Sequence, residues 1–245
     1  SRKKDQFGNM ITEQSYYRTG GDVQVIDSDT IEKRHYTQVG DALKYIPGVQ
    51  VQTPGGYRGG EYGYTQTHSI VTINGDARVI VLVDGRRMDN NAGGAVAANS
   101  GSGSKATVDI NQIVSMDNIE KIEVIKGPGA SAYGADATGG VINIITKKGT
   151  QKPHETLDYS MGSWKRYHYG MSIAGSNTKG NVKYFLSARH EMGGDSHYRD
   201  GITGKNYVWH QTGYRDNMVN ARFDFLLGNN QSIVMAYNHM SCLLY

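Results

Sequence analysis

From about residue 151 onward, apolar side chains fall on every second position. Leu157, Tyr159 and Met161 share one face of a first run, and Tyr167, Tyr169, Met171 and Ile173 face away from Arg166, His168, Gly170 and Ser172 in a second. Val182, Tyr184, Leu186 and Ala188 oppose Asn181, Lys183, Ser187 and Arg189 in a third. In a fourth, Val219, Ala221, Phe223, Phe225 and Leu227 oppose Asn220, Arg222 and Asp224, and Ile233, Met235 and Tyr237 begin a fifth. A period of two is the period of a β-strand, so this half reads as antiparallel strands, each apolar on one face and polar on the other. Two folds give that pattern: a transmembrane barrel with lipid outside and a hydrophilic lumen, and a soluble sheet with one solvated face. Residues 154–245 contain no proline, which suits a sheet that needs every backbone donor.

The first 150 residues mix signals. Asp22 to Asp27 reads as a short strand, with Ser28 or Asp29 capping a brief helix to about Arg34. Thr37 is expected to cap a second helix, TQVGDALKYI, that stops at Pro47-Gly48. Strands follow at Val49 to Gln52, Ser69 to Asn74 and Arg78 to Asp84, and a short helix lies near Asp109 to Asn118. The order is mixed α+β, with long loops after Gln52 and after Gly85 that a rigid scaffold can devote to function. Two β-branched runs, Ile122 to Lys126 and Val141 to Lys147, enclose fourteen residues, five of them glycine. Within them, Gly127 to Ala132 satisfies G-x-G-x-x-A, yet the next strand begins too soon for the crossover helix a dinucleotide site requires. Gly101 to Lys105 likewise lacks the spacing of a phosphate-binding Walker loop.

Composition narrows the classes. At 245 residues, 38% hydrophobic and 20% charged, the chain has the profile of one large or two ordinary folded domains. The net charge of +3 is spread without a basic run, which argues against nucleic acid as a partner. No apolar run reaches the length of a membrane helix, and the basic start Ser1 to Lys4 continues into polar residues without the apolar stretch of a signal peptide. The 17 tyrosines against 4 phenylalanines and 2 tryptophans suit membrane interfaces and wet binding surfaces. Cys242 is the single cysteine, so there is no intrachain disulfide in this sequence and no multi-cysteine metal site.

Three segments, in order, carry a resemblance: DALKYIPGVQVQ (Asp41 to Gln52), VIVLVDGRRM (Val79 to Met88) and IEKIEVIKGPGASAYGADATGGVINIITKKG (Ile119 to Gly149). Together they resemble the plug domain of TonB-dependent outer-membrane receptors over about Val23 to Gly149. Two departures stand out: Ile73-Asn74-Gly75 replaces a common isoleucine-arginine-glycine turn, and Lys126 replaces a common arginine. Lysine keeps the charge and loses the planar fork that grips a carboxylate with two bonds. The resemblance implies an α+β plug domain at residues 1–150, followed at 151–245 by antiparallel transmembrane β-barrel strands. Those strands would be four or five of about 22, an incomplete barrel. It implies an energised importer in the outer membrane of a Gram-negative-type bacterium, with TonB, outer-membrane lipid and a metal-chelate or similar small-molecule cargo as partners. A ferric siderophore leads, with haem, cobalamin and glycans open. No catalytic residue, cofactor or resident metal is implied. The TonB-gripped box is expected before the plug, since Ser1-Arg2 resembles the residues that follow it. A passive porin or adhesin barrel and a nucleotide-binding enzyme are the alternatives.

The loop after Gln52 offers Tyr57, Arg58, Tyr62 and Tyr64, aromatics with a cation that suit an anionic aromatic chelate, or else padding against a wall. A second apex holds Arg87, Asp89 and Asn90 before a glycine- and alanine-rich stretch that also reads as a mobile insertion. Glu120, Glu123 and Lys126 are candidates for plug-to-barrel pairs that act as a release latch, against static pairing within the fold. His68, His190, His197 and His210 invite a haem reading, but they are scattered without motif spacing, so solvated or lumen-facing histidines are the expected reading. Asp84 and Asp136 have no base, nucleophile or metal cluster near them in sequence. Connection lengths carry a topology: with the first half on the periplasmic side, Ser176 to Gly180 and Gly228 to Gln231 are short periplasmic turns. Met192 to Asp216, with His197, Tyr198, Tyr207, Trp209, His210 and Tyr214, is then a long external loop.

Overall fold

The computed structural model describes residues 23–52, 70–76, 78–88, 110–127, 130, 133, 137–228 and 230–244. They belong to two compact units that adjoin in sequence between Thr146 and Lys147.

The first unit runs β1 (Val23–Asp27), α1 (Ser28–Lys33), α2 (Val39–Leu43), β2 (Val49–Gln52), β3 (Ile70–Ile73), β4 (Val79–Val83), β5 (Arg86–Arg87), α3 (Ile110–Ile113), β6 (Ile119–Ile125) and β7 (Gly140–Thr146). Its main sheet has the order β1-β6-β7-β4-β5, and β2 pairs with β3 as a separate ribbon. Alternation splits the sheet's side chains between two cores. Ile122, Val124, Ile142 and Ile144 pack with Ile31 of α1, Val39 and Leu43 of α2, and Ile110 of α3. Ile80, Leu82, Ile125 and Val141 pack with Ala130 and Ala137. Burial on both faces explains why VINII is apolar without alternation. β6 and β7 are antiparallel, so the glycine-rich segment between them is a reversal and not the crossover of a dinucleotide fold. At Gly140 (φ +150°) a Cβ would lie 2.6 Å from Ile73 Cδ1 and 2.7 Å from the Ile125 carbonyl, which leaves room for glycine alone.

The helices begin differently from the sequence expectation. Asp27, in extended conformation, caps α1 by accepting from the Thr30 amide at 2.8 Å, so neither Ser28 nor Asp29 is the cap. α2 is a short helix whose N-terminus is capped from 71 residues away: Asn111 Oδ1 accepts from the Gly40 amide at 2.9 Å and Asn111 Nδ2 donates to Gln38 Oε1 at 3.1 Å. Thr37 bonds instead to Asp41. The expected helix over 109–118 is broken into α3 and a single 3₁₀ turn, Met116–Asn118.

The second unit holds β8 (His154–Gly162), β9 (Arg166–Ser176), β10 (Val182–Gly193), β11 (Ser196–Arg199), β12 (Asn206–Trp209), β13 (Tyr214–Gly228) and β14 (Gln231–Leu244). β8, β9, β10, β13 and β14 pair in chain order as an open antiparallel sheet, and β11 with β12 forms a hairpin within the connection read from sequence as a plain loop. The faces of the large sheet are inverted relative to a soluble protein. Leu157 is 85% exposed, Met161 76% and Met235 60%, whereas Arg189 is 7%, Glu191 4%, Arg222 5% and Asp224 1%. A soluble sheet buries its apolar face; a barrel wall turns that face to lipid. Of the two readings of the alternation, the structure selects the wall.

Candidate functional site

The polar face of the wall is a lattice built from strand register. Ser160, His168, Glu191 and Asp216 lie in one cross-strand row, and Thr156, Ser172, Ser187 and Asn220 in another. Charges are matched mostly along a strand, where residues two apart share a face. Arg222 donates from Nε to Asp224 Oδ2 at 3.0 Å and from Nη2 to Oδ1 at 2.9 Å. Arg189 Nη2 donates to Glu191 Oε2 at 3.3 Å, and the Tyr214 hydroxyl donates to Glu191 Oε1 at 2.8 Å. Asn220 Nδ2 donates to Ser187 Oγ at 2.9 Å, and the Thr156 and Ser172 hydroxyls bond each other. His168 lies between Ser160 Oγ (2.7 Å from Nδ1) and Asp158 Oδ2 (2.9 Å from Nε2). A hydrogen-bonded counter-ion offsets the cost of burying each member of the Arg222–Asp224 and Arg189–Glu191 pairs. The result is a hydrophilic surface whose strongest charges already hold partners.

At the end of the sheet where β8 meets β9, the β11–β12 hairpin is organised from base to tip. Asp195 Oδ1 accepts from the Thr212 and Gly213 amides at 3.1 and 3.0 Å, and Thr212 Oγ1 accepts from the Ser196 amide and donates to the Trp209 carbonyl, both at 2.7 Å. At the tip, Asp200 accepts from the Thr203 hydroxyl and the Ile202 amide, bonds that hold its carboxyl below the ordinary range. Trp164, in the β8–β9 turn, stacks on His197 with centroids 6.2 Å apart, and the Arg166 guanidinium sits 4.9 Å from the Trp164 ring. Tyr198 and Tyr207 are cross-strand partners stacked at 5.6 Å. With Trp209 and Val208 also exposed, the hairpin presents an ordered aromatic surface beside cations. The sequence signalled the residues and not the strands that order them.

Of the residues singled out from sequence, Tyr57, Arg58, Tyr62, Tyr64, Asp89, Asn90, His68 and Asp136 lie outside the described residues. Arg87 is exposed on β5, opposite Leu82. Glu120 is exposed. Glu123 is fully buried, accepting from Asn143 Nδ2 at 3.1 Å with Lys121 Nζ 3.1 Å away, and Lys126 Nζ donates to the Pro47 carbonyl at 2.9 Å. The three therefore do not come together as one cluster. His190 contacts Asn217, His197 stacks on Trp164 and His210 lies 3.3 Å from Asp195, each in a different setting. Among the described residues, no group of three potential metal-ligating side chains converges. Asp84 has a role that sequence reasoning missed. At φ +49° it turns back to accept from the Thr146 amide at 2.9 Å and hydroxyl at 2.6 Å, tying the turn after β4 to the end of β7. An Asp-Gly pair hints at the left-handed turn, but nothing local points to a partner 62 residues away.

Residues 16–141, half of the chain, match the family model described as the TonB-dependent receptor plug domain. The chain belongs to the TonB-dependent receptors. It is 31% identical over 183 residues to the vitamin B12 transporter BtuB of Vibrio vulnificus, covering 75% of this chain and 27% of that protein. Over 131 residues it is 38% identical to the iron-regulated outer membrane virulence protein of Vibrio cholerae, covering 53% of this chain and 18% of that one. A variant of the ferric enterobactin receptor PfeA from Pseudomonas aeruginosa superposes with a TM-score of 0.68 at 22% identity, over 94% of this chain and 34% of that one, a likeness of fold. This TonB-dependent receptor chain thus spans between 18% and 34% of the length of these three proteins and carries the plug with part of the barrel wall. It is an outer-membrane protein of the Gram-negative type and not an enzyme.

Proposed function

We propose that the receptor to which this chain contributes imports a ferric siderophore, driven by TonB. The observation that carries an import reading is the combination of a plug-type sheet with a wall that exposes its apolar face and buries matched ion pairs. Iron as the nutrient draws support from the 38% identity to an iron-regulated outer membrane protein. Cobalamin is the second reading, favoured by the 31% identity to a vitamin B12 transporter over three quarters of the chain. In this reading the plug runs to about residue 150 and the wall begins at 151. Tyr57, Arg58, Tyr62 and Tyr64, with Arg87, Asp89 and Asn90, form the cargo apices, and Glu120, Glu123 and Lys126 link plug to barrel. Cargo at the apices biases a periplasmic segment that TonB grips, a coupling of about 1–3 kcal/mol between two distant faces.

The orientation belongs to the same reading: the turns Ser176 to Gly180 and Gly228 to Gln231 face the periplasm and the connection Met192 to Asp216, with its β11–β12 hairpin, faces outward, since short periplasmic turns and longer external loops are the rule for such barrels. Cysteine at Gly201, in the intact receptor with Cys242 replaced, should label on whole cells with an impermeant thiol reagent, and cysteine at Lys179 should not; the reverse pattern refutes the orientation. For cargo, purified full-length receptor is titrated with ferric enterobactin and with cyanocobalamin by fluorescence quenching. Saturable siderophore binding is expected, weakened at least about tenfold when Tyr57, Arg58, Tyr62 and Tyr64 are replaced together by alanine, as for loss of a few aromatic and charged contacts. Unchanged affinity removes this apex, and tight binding of cyanocobalamin alone transfers the assignment to the second reading.

A further inference from the structure

One serine on the polar face of the wall is placed unlike its neighbours. Asp158 and Ser160 lie two residues apart on β8 and therefore share a face, with His168 of β9 directly opposite Ser160. Ser160 Oγ is 2.7 Å from His168 Nδ1, and Asp158 Oδ2 is 2.9 Å from His168 Nε2. Gly170, opposite Asp158, leaves the carboxylate the room it occupies beside the imidazole: a Cβ there would come 2.6 Å from Asp158 Oδ1. On the other side of His168, Glu191 of β10 is held by Arg189 and Tyr214. Ser172 and Ser187, on the same face, bond a threonine hydroxyl and an asparagine amide instead. Ser160 itself is exposed.

A carboxylate only accepts, so in the neutral imidazole the proton sits on Nε2, toward Asp158, and Nδ1 is left to accept from the Ser160 hydroxyl. A hydroxyl bonded to a base, with the base fixed by a carboxylate, is the arrangement that makes a weak nucleophile usable. The two ring nitrogens are exchanged relative to the usual serine triad, which leaves the direction of proton transfer unchanged. We propose that Ser160 is a covalent modification site that takes an acyl group from an activated carboxylic ester. Its Oγ bonds to the ester carbonyl carbon as the hydroxyl proton passes to His168 Nδ1. The bond from that carbon to the alcohol oxygen then breaks, and the departing oxygen takes the proton from His168. The products are the Ser160 acyl ester, the free alcohol and neutral His168. This is one acyl transfer to the receptor itself and asks for no turnover; it is independent of the cargo and of the orientation of the wall.

The test uses full-length receptor in dodecyl maltoside, incubated with p-nitrophenyl acetate near neutral pH, with acetylated residues located and timed by peptide mass spectrometry. Ser163, exposed in the β8–β9 turn three residues away, is the control hydroxyl. Ser160 is expected to be acetylated at least about a hundredfold faster than Ser163, the lower end of what a positioned base contributes. His168→Gln should bring Ser160 down to the rate of Ser163 while leaving the melting temperature unchanged. Should that variant fail to fold, Asp158→Asn keeps the shape and lets an amide donate to Nε2, which moves the imidazole proton to Nδ1 and should slow acetylation of Ser160 at least about tenfold. Acetylation of Ser160 no faster than that of Ser163, or a rate unaltered in folded His168→Gln or Asp158→Asn receptor, overturns the proposal and leaves the three side chains as a solvated hydrogen-bond network of the polar face.

Discussion

Placing an arginine on either face of the wall tests the inverted burial directly. On β13 the outward positions run Asn217, Val219, Ala221, Phe223, Phe225 and Leu227, ten residue steps from the polar edge to the far end of the strand. At about 3.3 Å per residue and a tilt of about 40°, ten steps cover about 25 Å, the height of the lipid-facing band of an outer-membrane barrel. Ala221 lies four steps in, about 10 Å below the edge and close to the midplane by the same geometry. Ala221→Arg should therefore cost about 2–4 kcal/mol, or roughly 30- to 900-fold in the folding equilibrium. Asn238 pairs with Asn220 on the opposite, polar face. Asn238→Arg adds the same charge there and should cost less than about 1 kcal/mol, since lumen substitutions leave the lipid contact alone. Reversible urea unfolding of the full-length receptor in lipid vesicles, followed by tryptophan fluorescence, reads both values. A cost for Asn238→Arg equal to or larger than that for Ala221→Arg would refute the facing of every strand described above.

Two further outcomes follow from the plug. Asp84→Ala removes both bonds to Thr146 and should destabilise the plug by about 1–3 kcal/mol, whereas Asp84→Asn tolerates the left-handed turn, keeps one acceptor and should cost less; hydrogen exchange across β7 measures both, and equal effects would contradict the clamp. Asp27 is held below its ordinary carboxyl value by the Thr30 hydroxyl and amide, so its contribution to α1 is present above the unfolded value of about 3.9 and is lost as pH falls through the lower folded value. Exchange at α1 should quicken across that acid window in the native chain and not in Asp27→Asn, relative to intrinsic rates; identical profiles for the two would remove Asp27 as the cap.

Much of the wall was legible because period two is a local property: each of the five large strands announces its faces within ten residues. Which face meets lipid was not legible, since Leu157 opposite Asp158 reads the same in water as in a membrane. The β11–β12 hairpin escaped for a related reason. His197-Tyr198-Arg199 and Tyr207-Val208-Trp209 are too short to show alternation, and the hairpin is ordered by Asp195 and Thr212, whose hydrogen bonds close only after the chain has turned. In the plug, β4, β6 and β7 stood out as β-branched runs, while the capping of α2 by Asn111 and the binding of Asp84 to Thr146 join residues more than sixty apart. The candidate site was readable as residue types in loops; its geometry depends on such distant closures.

Two ion pairs of the wall lie along single strands, Arg222 with Asp224 on β13 and Arg189 with Glu191 on β10. These two pairs reach the neighbouring strand already matched, so their charges do not depend on the alignment of that strand. Neutrality of this kind is blind to register: a strand that slips by two residues keeps both its faces and its ion pairs. Selecting the true alignment falls to contacts that do cross between strands. The Tyr214 hydroxyl must find Glu191, Asn220 must find Ser187, and Gly170 must stand opposite Asp158, where a Cβ would come within 2.6 Å of the carboxylate. Docking of β10 against β13 can tolerate an early slip out of step, because these two pairs stay matched while the strands slide. The commitment to one register is made by a tyrosine, an asparagine and a missing side chain.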